Sequence, residues 1–186
     1  MNAKKLSFLL LILVAVACTN RSTSSEQDEM RHWNNVLQQI NALLLENKAR
    51  QTLDLAKQTL PEILESAEKN GTTDTLIYHA RKIFNACGNN YINTKQYKDG
   101  IDYMDSIGNH PLIREHCPHE LLSFKAGLNQ LYGNNPEAVR LAEDYLQLPV
   151  CTSANDFIRQ AEIISGVYMY SGNNLPKAIQ ILEKAI

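Results

Sequence analysis

The side chains with the most chemical capacity in this 186-residue chain gather in one short stretch, His110, His116, Cys117 and His119. Imidazole and thiolate are zinc ligands, but a closed site needs four of them at characteristic spacings. This set matches no such pattern, Pro111 and Pro118 read as turn residues within it, and no metal is assigned. The four cysteines, Cys18, Cys87, Cys117 and Cys151, offer a second chemistry. Cys117 and Cys151 both fall in connections between helical segments, so a disulfide between them is an open option that requires Cα atoms within roughly 7 Å. Cys87 stands on an apolar helix face and reads as a small buried hydrophobe. Glu62 with Glu65, and Asp102 with Asp105, are carboxylate pairs at helical spacing that suit a solvated face. No glycine-rich phosphate loop, nucleophile elbow or zinc-protease helix motif occurs. The expectation is a non-enzymatic protein with no catalytic residue and no cofactor.

The remaining thiol, Cys18, sits in a different context. Lys4 and Lys5 precede a largely apolar run from Leu6 to Val14, which is too short for a comfortable membrane span, and Ala15-Val16-Ala17 then leads into the cysteine. This resembles the lipobox of bacterial lipoproteins, although Ala15 stands where leucine is commonest. The resemblance implies that residues 1–17 are a signal peptide, that Cys18 is acylated, and that the protein is lipid-anchored in the bacterial cell envelope, periplasmic or on the outer surface. Residues 18–30 are polar and read as a flexible tether with a root-mean-square reach on the order of 20 Å. Removing Lys4 and Lys5 leaves 16 basic against 20 acidic residues, a net charge near −4, and no basic run longer than Arg81-Lys82 follows. Nucleic acid is therefore not an expected partner.

From residue 31 to 186 helix formers dominate, and apolar residues recur at three- and four-residue spacing, which predicts an all-α domain. Trp33, Val36, Leu37, Ile40, Leu43 and Leu44 form one face of a first helix. Leu53, Leu55, Ala56 and Leu60 follow in a second, which Pro61 is expected to stop or restart. Asn70-Gly71 ends that segment, and Thr72, Thr73 or Asp74 can cap the next helix.

A repeat then becomes visible. Phe84-x2-Cys87-Gly88-x2-Tyr91, followed by Gly100-x3-Met104 and Pro111, resembles the tetratricopeptide repeat, whose pattern is W-x2-L-G-x2-Y, then A-x3-F, then P. Ala138, Ala142 and Pro149 each stand 38 residues after Gly100, Met104 and Pro111. A third unit has Ala161-x2-Ile164-Ser165-x2-Tyr168, then Ala178-x3-Leu182. Gly133-Asn134-Asn135-Pro136 and Gly172-Asn173-Asn174-Leu175-Pro176 each end one helix and start the next. The best-defined units cover about 81–117, 119–156 and 158–186, and residues 31–69 fit only by periodicity.

The resemblance implies tetratricopeptide-like antiparallel helix pairs stacked as a right-handed α-solenoid, with the first helix of each unit lining a concave groove. Carried over by position, Lys82, Asn85, Asn89, Asn93, Arg159 and Glu162 would face that groove. The asparagines could hold a peptide backbone, and Lys82 or Arg159 could meet a carboxylate. The expected partner is an envelope protein or peptide, with membrane attachment through the lipid. The apolar side chains of the last helix, Ile179, Ile181, Leu182 and Ile186, would lie uncovered, which suggests a truncated chain or one completed by a partner. A signal followed by such repeats also looks like the extracytoplasmic input region of a two-component sensor histidine kinase acting in signal transduction. That is the alternative expectation.

Overall fold

The computed structural model of the chain describes residues 27–149 and 154–183. Among them all regular structure is helical, in nine helices, with no strand. These are α1 (27–45), α2 (Ala49–Asn70), α3 (Asp74–Asn93), α4 (Tyr97–Ile107), α5 (Pro111–His116), α6 (Pro118–Tyr132), α7 (Asn135–Leu146), α8 (Ala154–Tyr170) and α9 (Leu175–Glu183).

One backbone device recurs four times. Asn47, Lys95, Gly133 and Asn173 have φ of +55, +58, +96 and +46°, and each stands two residues before the start of a helix, α2, α4, α7 or α9. A left-handed residue turns the chain sharply enough for the next helix to fold back on the one before it. Five residues after each turn comes a small, buried residue, Thr52, Gly100, Ala138 or Ala178. The backbone N–H of that residue donates to the carbonyl oxygen of Lys48, Gln96, Asn134 or Asn174, respectively. The segment 31–69, which fits the repeat only by periodicity in the sequence, therefore carries the same turn as the other three pairs.

Glycine sets how closely the helices approach. A Cβ built on Gly88 of α3 would lie 2.4 Å from the Phe124 ring of α6, one on Gly100 of α4 would lie 3.0 Å from Leu128, and one on Gly127 of α6 would lie 2.7 Å from Ile163 of α8. α6 thereby becomes the wall between two cores. Phe124 and Leu128 close a core built from α1 to α6, while Ala126 belongs to a second core that includes Leu141, Tyr145, Ile164 and Val167.

Three expectations are corrected. α2 runs through Pro61 without a break. Lys57 and Pro61 both lie on the exposed side of the helix, and buried Leu60, Ile63 and Leu64 hold it on both sides of the proline. The end of the tether is ordered as well. Residues 27–30 belong to α1, where Glu29 accepts from Trp33 Nε1 (3.3 Å), Asn70 Nδ2 (3.3 Å) and the Ser66 hydroxyl. Pro111 and Pro118 are first-turn residues of α5 and α6 rather than simple turn residues, because a first turn needs no N–H from them. The cap expected among Thr72, Thr73 and Asp74 is in place: α3 begins at Asp74, and the Thr73 hydroxyl accepts from Leu76 N–H at 3.2 Å.

Candidate functional site

α1, α3, α6 and α8 surround a cleft of ≈ 360 Å³. Its apolar lining comes from Leu37, Ile40 and Leu44 of α1, Phe124 of α6 and Ile163 of α8, and its polar groups are Asn41, Lys82, Asn85, Asn89, Arg159 and Gln160. Four of the six expected groove residues, Lys82, Asn85, Asn89 and Arg159, thus meet in one place. Glu162 does not line the cleft but holds Arg159 through an ion pair of 3.3 Å. Asn93 is exposed at the end of α3, away from the cleft lining.

The local geometry follows from the helices. Lys82, Asn85 and Asn89 fall three and four residues apart on α3, so they share one face. The Arg159 guanidinium reaches from α8 to α3, where Nη2 and Nε donate to Asn89 Oδ1 at 3.1 and 3.3 Å. This span is short because Gly88 lets α3 sit on Phe124 and Gly127 lets α6 sit on Ile163. Asn89 Nδ2 donates to the Asn85 carbonyl (3.0 Å), which fixes which end of the amide faces Arg159. Lys82 Nζ lies 5.6 Å from the centroid of the half-exposed Tyr78 ring, within reach of a cation–π interaction. Behind this row, Arg81 bridges to Glu120 Oε1 at 3.2 Å and donates to the His116 carbonyl at 2.5 Å, tying α3 to the α5–α6 joint.

Chemically, the cleft offers two cations, four carboxamides and an apolar floor. A guanidinium and an ammonium answer carboxylates, carboxamides answer backbone amides, and the floor answers an apolar side chain. The α1 wall, Leu37, Ile40, Asn41 and Leu44, was not anticipated, nor were Tyr78, Phe124 and Ile163. A signal for the wall exists in the register. Counted back from the left-handed turn residue, Asn41 and Asn89 both stand six before, while Leu37, Asn85 and Ile163 stand ten before.

The histidines have separate tasks. His110 caps α5, with Nδ1 accepting from Leu112 N–H at 3.2 Å, and its Nε2 lies 3.1 Å from Glu68 Oε1. His119 Nε2–H donates to the Pro149 carbonyl at 2.7 Å, and the His119 ring meets Tyr145 edge-on. No group of three or more potential ligands forms a metal site among the described residues. Three of the four carboxylates at helical spacing are engaged with lysines, Glu65 with Lys69 and Asp105 with Lys125 at 2.6 Å each, and Asp102 with Lys98. Cys87 is fully buried, and burial pushes its thiol up to about 12 despite the nearby Tyr103 hydroxyl and Lys57. Cys117 is buried at the α5–α6 joint. Its proposed partner Cys151 lies outside the described residues, as does Cys18. No helix among the described residues is long and apolar enough to cross a membrane.

Comparison with protein families, with curated proteins and with solved structures found no match to this chain.

Proposed function

We propose that the chain is a non-enzymatic, lipid-anchored protein-interaction module of the bacterial cell envelope, built from tetratricopeptide-like antiparallel helix pairs stacked as a right-handed α-solenoid. Its ligand face is the cleft between α1, α3, α6 and α8. The observation that carries this reading is the convergence of Lys82, Asn85, Asn89 and Arg159 beside an apolar floor. The fourfold left-handed turn and the small residue five positions after it support the repeat architecture, since each pair exposes an apolar face that only a neighbouring pair can cover. The ligand is a peptide segment. Asn41, Asn85 and Asn89 meet its backbone, Leu37 and Leu44 take an apolar side chain, and Lys82 with Arg159 receives a carboxylate. The anchor rests on Lys4, Lys5, the apolar run and Ala15-Val16-Ala17 before Cys18.

A photo-crosslinking residue placed at Asn85 in living cells tests the cleft. It should give a discrete adduct with an envelope protein, weakened by Lys82→Ala and not formed from a probe at exposed Glu143 of α7. The same adducts from both positions would sink the assignment. For the anchor, Cys18→Ser should abolish acyl-chain labelling and release the protein from membranes; persistent labelling would remove the lipid from the account.

A further inference from the structure

α2 ends at the one Asn-Gly step in the sequence, Asn70-Gly71, and α4 holds the one Asp-Gly step, Asp99-Gly100. Both share a chemistry. The backbone nitrogen of the glycine can attack the side-chain carbonyl carbon of the residue before it, because glycine puts no Cβ in the way. The fold treats the two steps differently. Gly100 is buried, and its N–H donates to the Gln96 carbonyl at 2.9 Å, which keeps that nitrogen in the helix. Gly71 is exposed with φ +84°, its N–H makes no hydrogen bond among the described residues, and an added Cβ would find nothing within 4 Å. Asn70 is exposed too, and its carboxamide fastens two helices together. Nδ2 donates to Glu29 Oε2 of α1 at 3.3 Å and to Ser66 Oγ at 3.2 Å. The Ser66 hydroxyl donates in turn to Glu29 Oε1, which also accepts from Trp33 Nε1 at 3.3 Å.

We propose that Asn70 is a self-modifying site, and that its conversion to a carboxylate unfastens the start of α1 from α2. The Gly71 nitrogen gives its proton to solvent and bonds to Asn70 Cγ. The Cγ–Nδ2 bond then breaks, and Nδ2 leaves as ammonia with a proton taken from water. A second water opens the cyclic imide at either carbonyl, leaving aspartate or isoaspartate. In sum one carboxamide and one water become one carboxylate and one ammonium ion, and nothing is oxidised or reduced. The product inverts the electrostatics of the joint. An anion replaces the donor that faced Glu29, the like charges repel, and the Ser66 hydroxyl can donate to only one of the two carboxylates. The new charge also stands at the C-terminal end of α2, where the helix dipole disfavours it, and nearby Lys69 is already paired with Glu65. Neither Asn70 nor Glu29 lines the cleft, so this switch stands independently of the cleft's ligand.

Trp33, the single tryptophan of the chain and only 4% exposed, reads the switch. The purified full chain, kept folded in mildly alkaline buffer, should release ammonia and gain an acid at Asn70. Peptide mapping should find mixed aspartate and isoaspartate there, with Asp99 unisomerised. Trp33 emission should shift to the red in step with the conversion, as water reaches the loosened indole. Asn70→Asp should show the shifted emission from the outset, whereas Asn70→Gln should abolish the conversion and the drift; unchanged helicity verifies that both variants fold. An Asn70 that stays intact in the folded chain but converts in urea would overturn the proposal. So would isomerisation of Asp99 as fast as conversion of Asn70, because the unbonded glycine nitrogen would then not select the site. Conversion without a change in Trp33 emission, or wild-type emission from Asn70→Asp, would overturn the release of α1.

Discussion

Gly88 and Phe124 touch where α3 meets α6, with no room for a methyl group between them: a Cβ on Gly88 would lie 2.4 Å from the ring. Phe124 is 2% exposed and meets Phe84 edge-on with centroids 6.1 Å apart, so it cannot swing aside without opening the core. Gly88→Ala should therefore destabilise the fold by about 2 kcal/mol, the usual cost of overpacking. Chemical denaturation measures it. Adding Phe124→Leu should recover part of the loss, and a Gly88→Ala protein as stable as wild type would show that the helices are less tightly joined than described.

Lys95 is the least suited of the four turn residues to its conformation. Asn and Gly tolerate a left-handed backbone, and Asn47, Gly133 and Asn173 supply them, whereas Lys95 holds φ +58° with a Cβ in the way. Lys95→Gly is expected to raise stability by about 0.5–1 kcal/mol in a denaturant titration. A loss of stability would mean that the turn is held by Lys95 itself rather than by its neighbours.

Pro61 removes one backbone hydrogen bond from the interior of α2 on its exposed face. Pro61→Ala should restore the bond to the Lys57 carbonyl and stabilise the protein by about 1–3 kcal/mol, the lower end reflecting the extra freedom that alanine gives the unfolded chain. The thermal midpoint should rise. A fall would show that proline's fixed φ is needed at this point.

How far the architecture is written in the sequence can be judged at these same positions. Gly133-Asn134-Asn135-Pro136 and Gly172-Asn173-Asn174-Leu175-Pro176 announce their turns, because glycine and asparagine admit positive φ and proline fits a first helical turn. Lys95 makes the same turn and is not legible, since lysine carries no such preference. Asn47 lies between Glu46 and Lys48 and gives too little signal alone. Pro61 misleads for the opposite reason: a strong local breaker is overridden by burial of Leu60, Ile63 and Leu64 around it. The candidate site was legible in part. Helical spacing gathers Lys82, Asn85 and Asn89 on one face, but the contribution of α1 depends on how far the chain turns back on itself, and no periodicity reports that.

Cys87 gives a pH test. Its thiol is pushed up to about 12 in the folded protein, from 9.0 for a free thiol, first by burial. Below pH 9 the thiol is protonated in both states and costs nothing. Above pH 9 the unfolded chain ionises while the folded one does not, so stability should fall as pH rises from 9 toward 12, by up to about 1.4 kcal/mol per pH unit from this group. Other groups titrate in the same range, so the measured quantity is the difference in slope between wild type and Cys87→Ala. Parallel slopes would show that the thiol is not confined as described.

The central claim is that the cleft between α1, α3, α6 and α8 receives a peptide segment, and its most direct test is the affinity of the crosslinked envelope partner for purified variants. Lys82→Ala and Arg159→Ala should each weaken binding by about tenfold, while stability stays within about 0.5 kcal/mol of wild type for the half-buried Lys82. Lys98→Ala, an exposed cation outside the cleft, should bind as wild type does. Equal affinities for all four proteins would contradict the account.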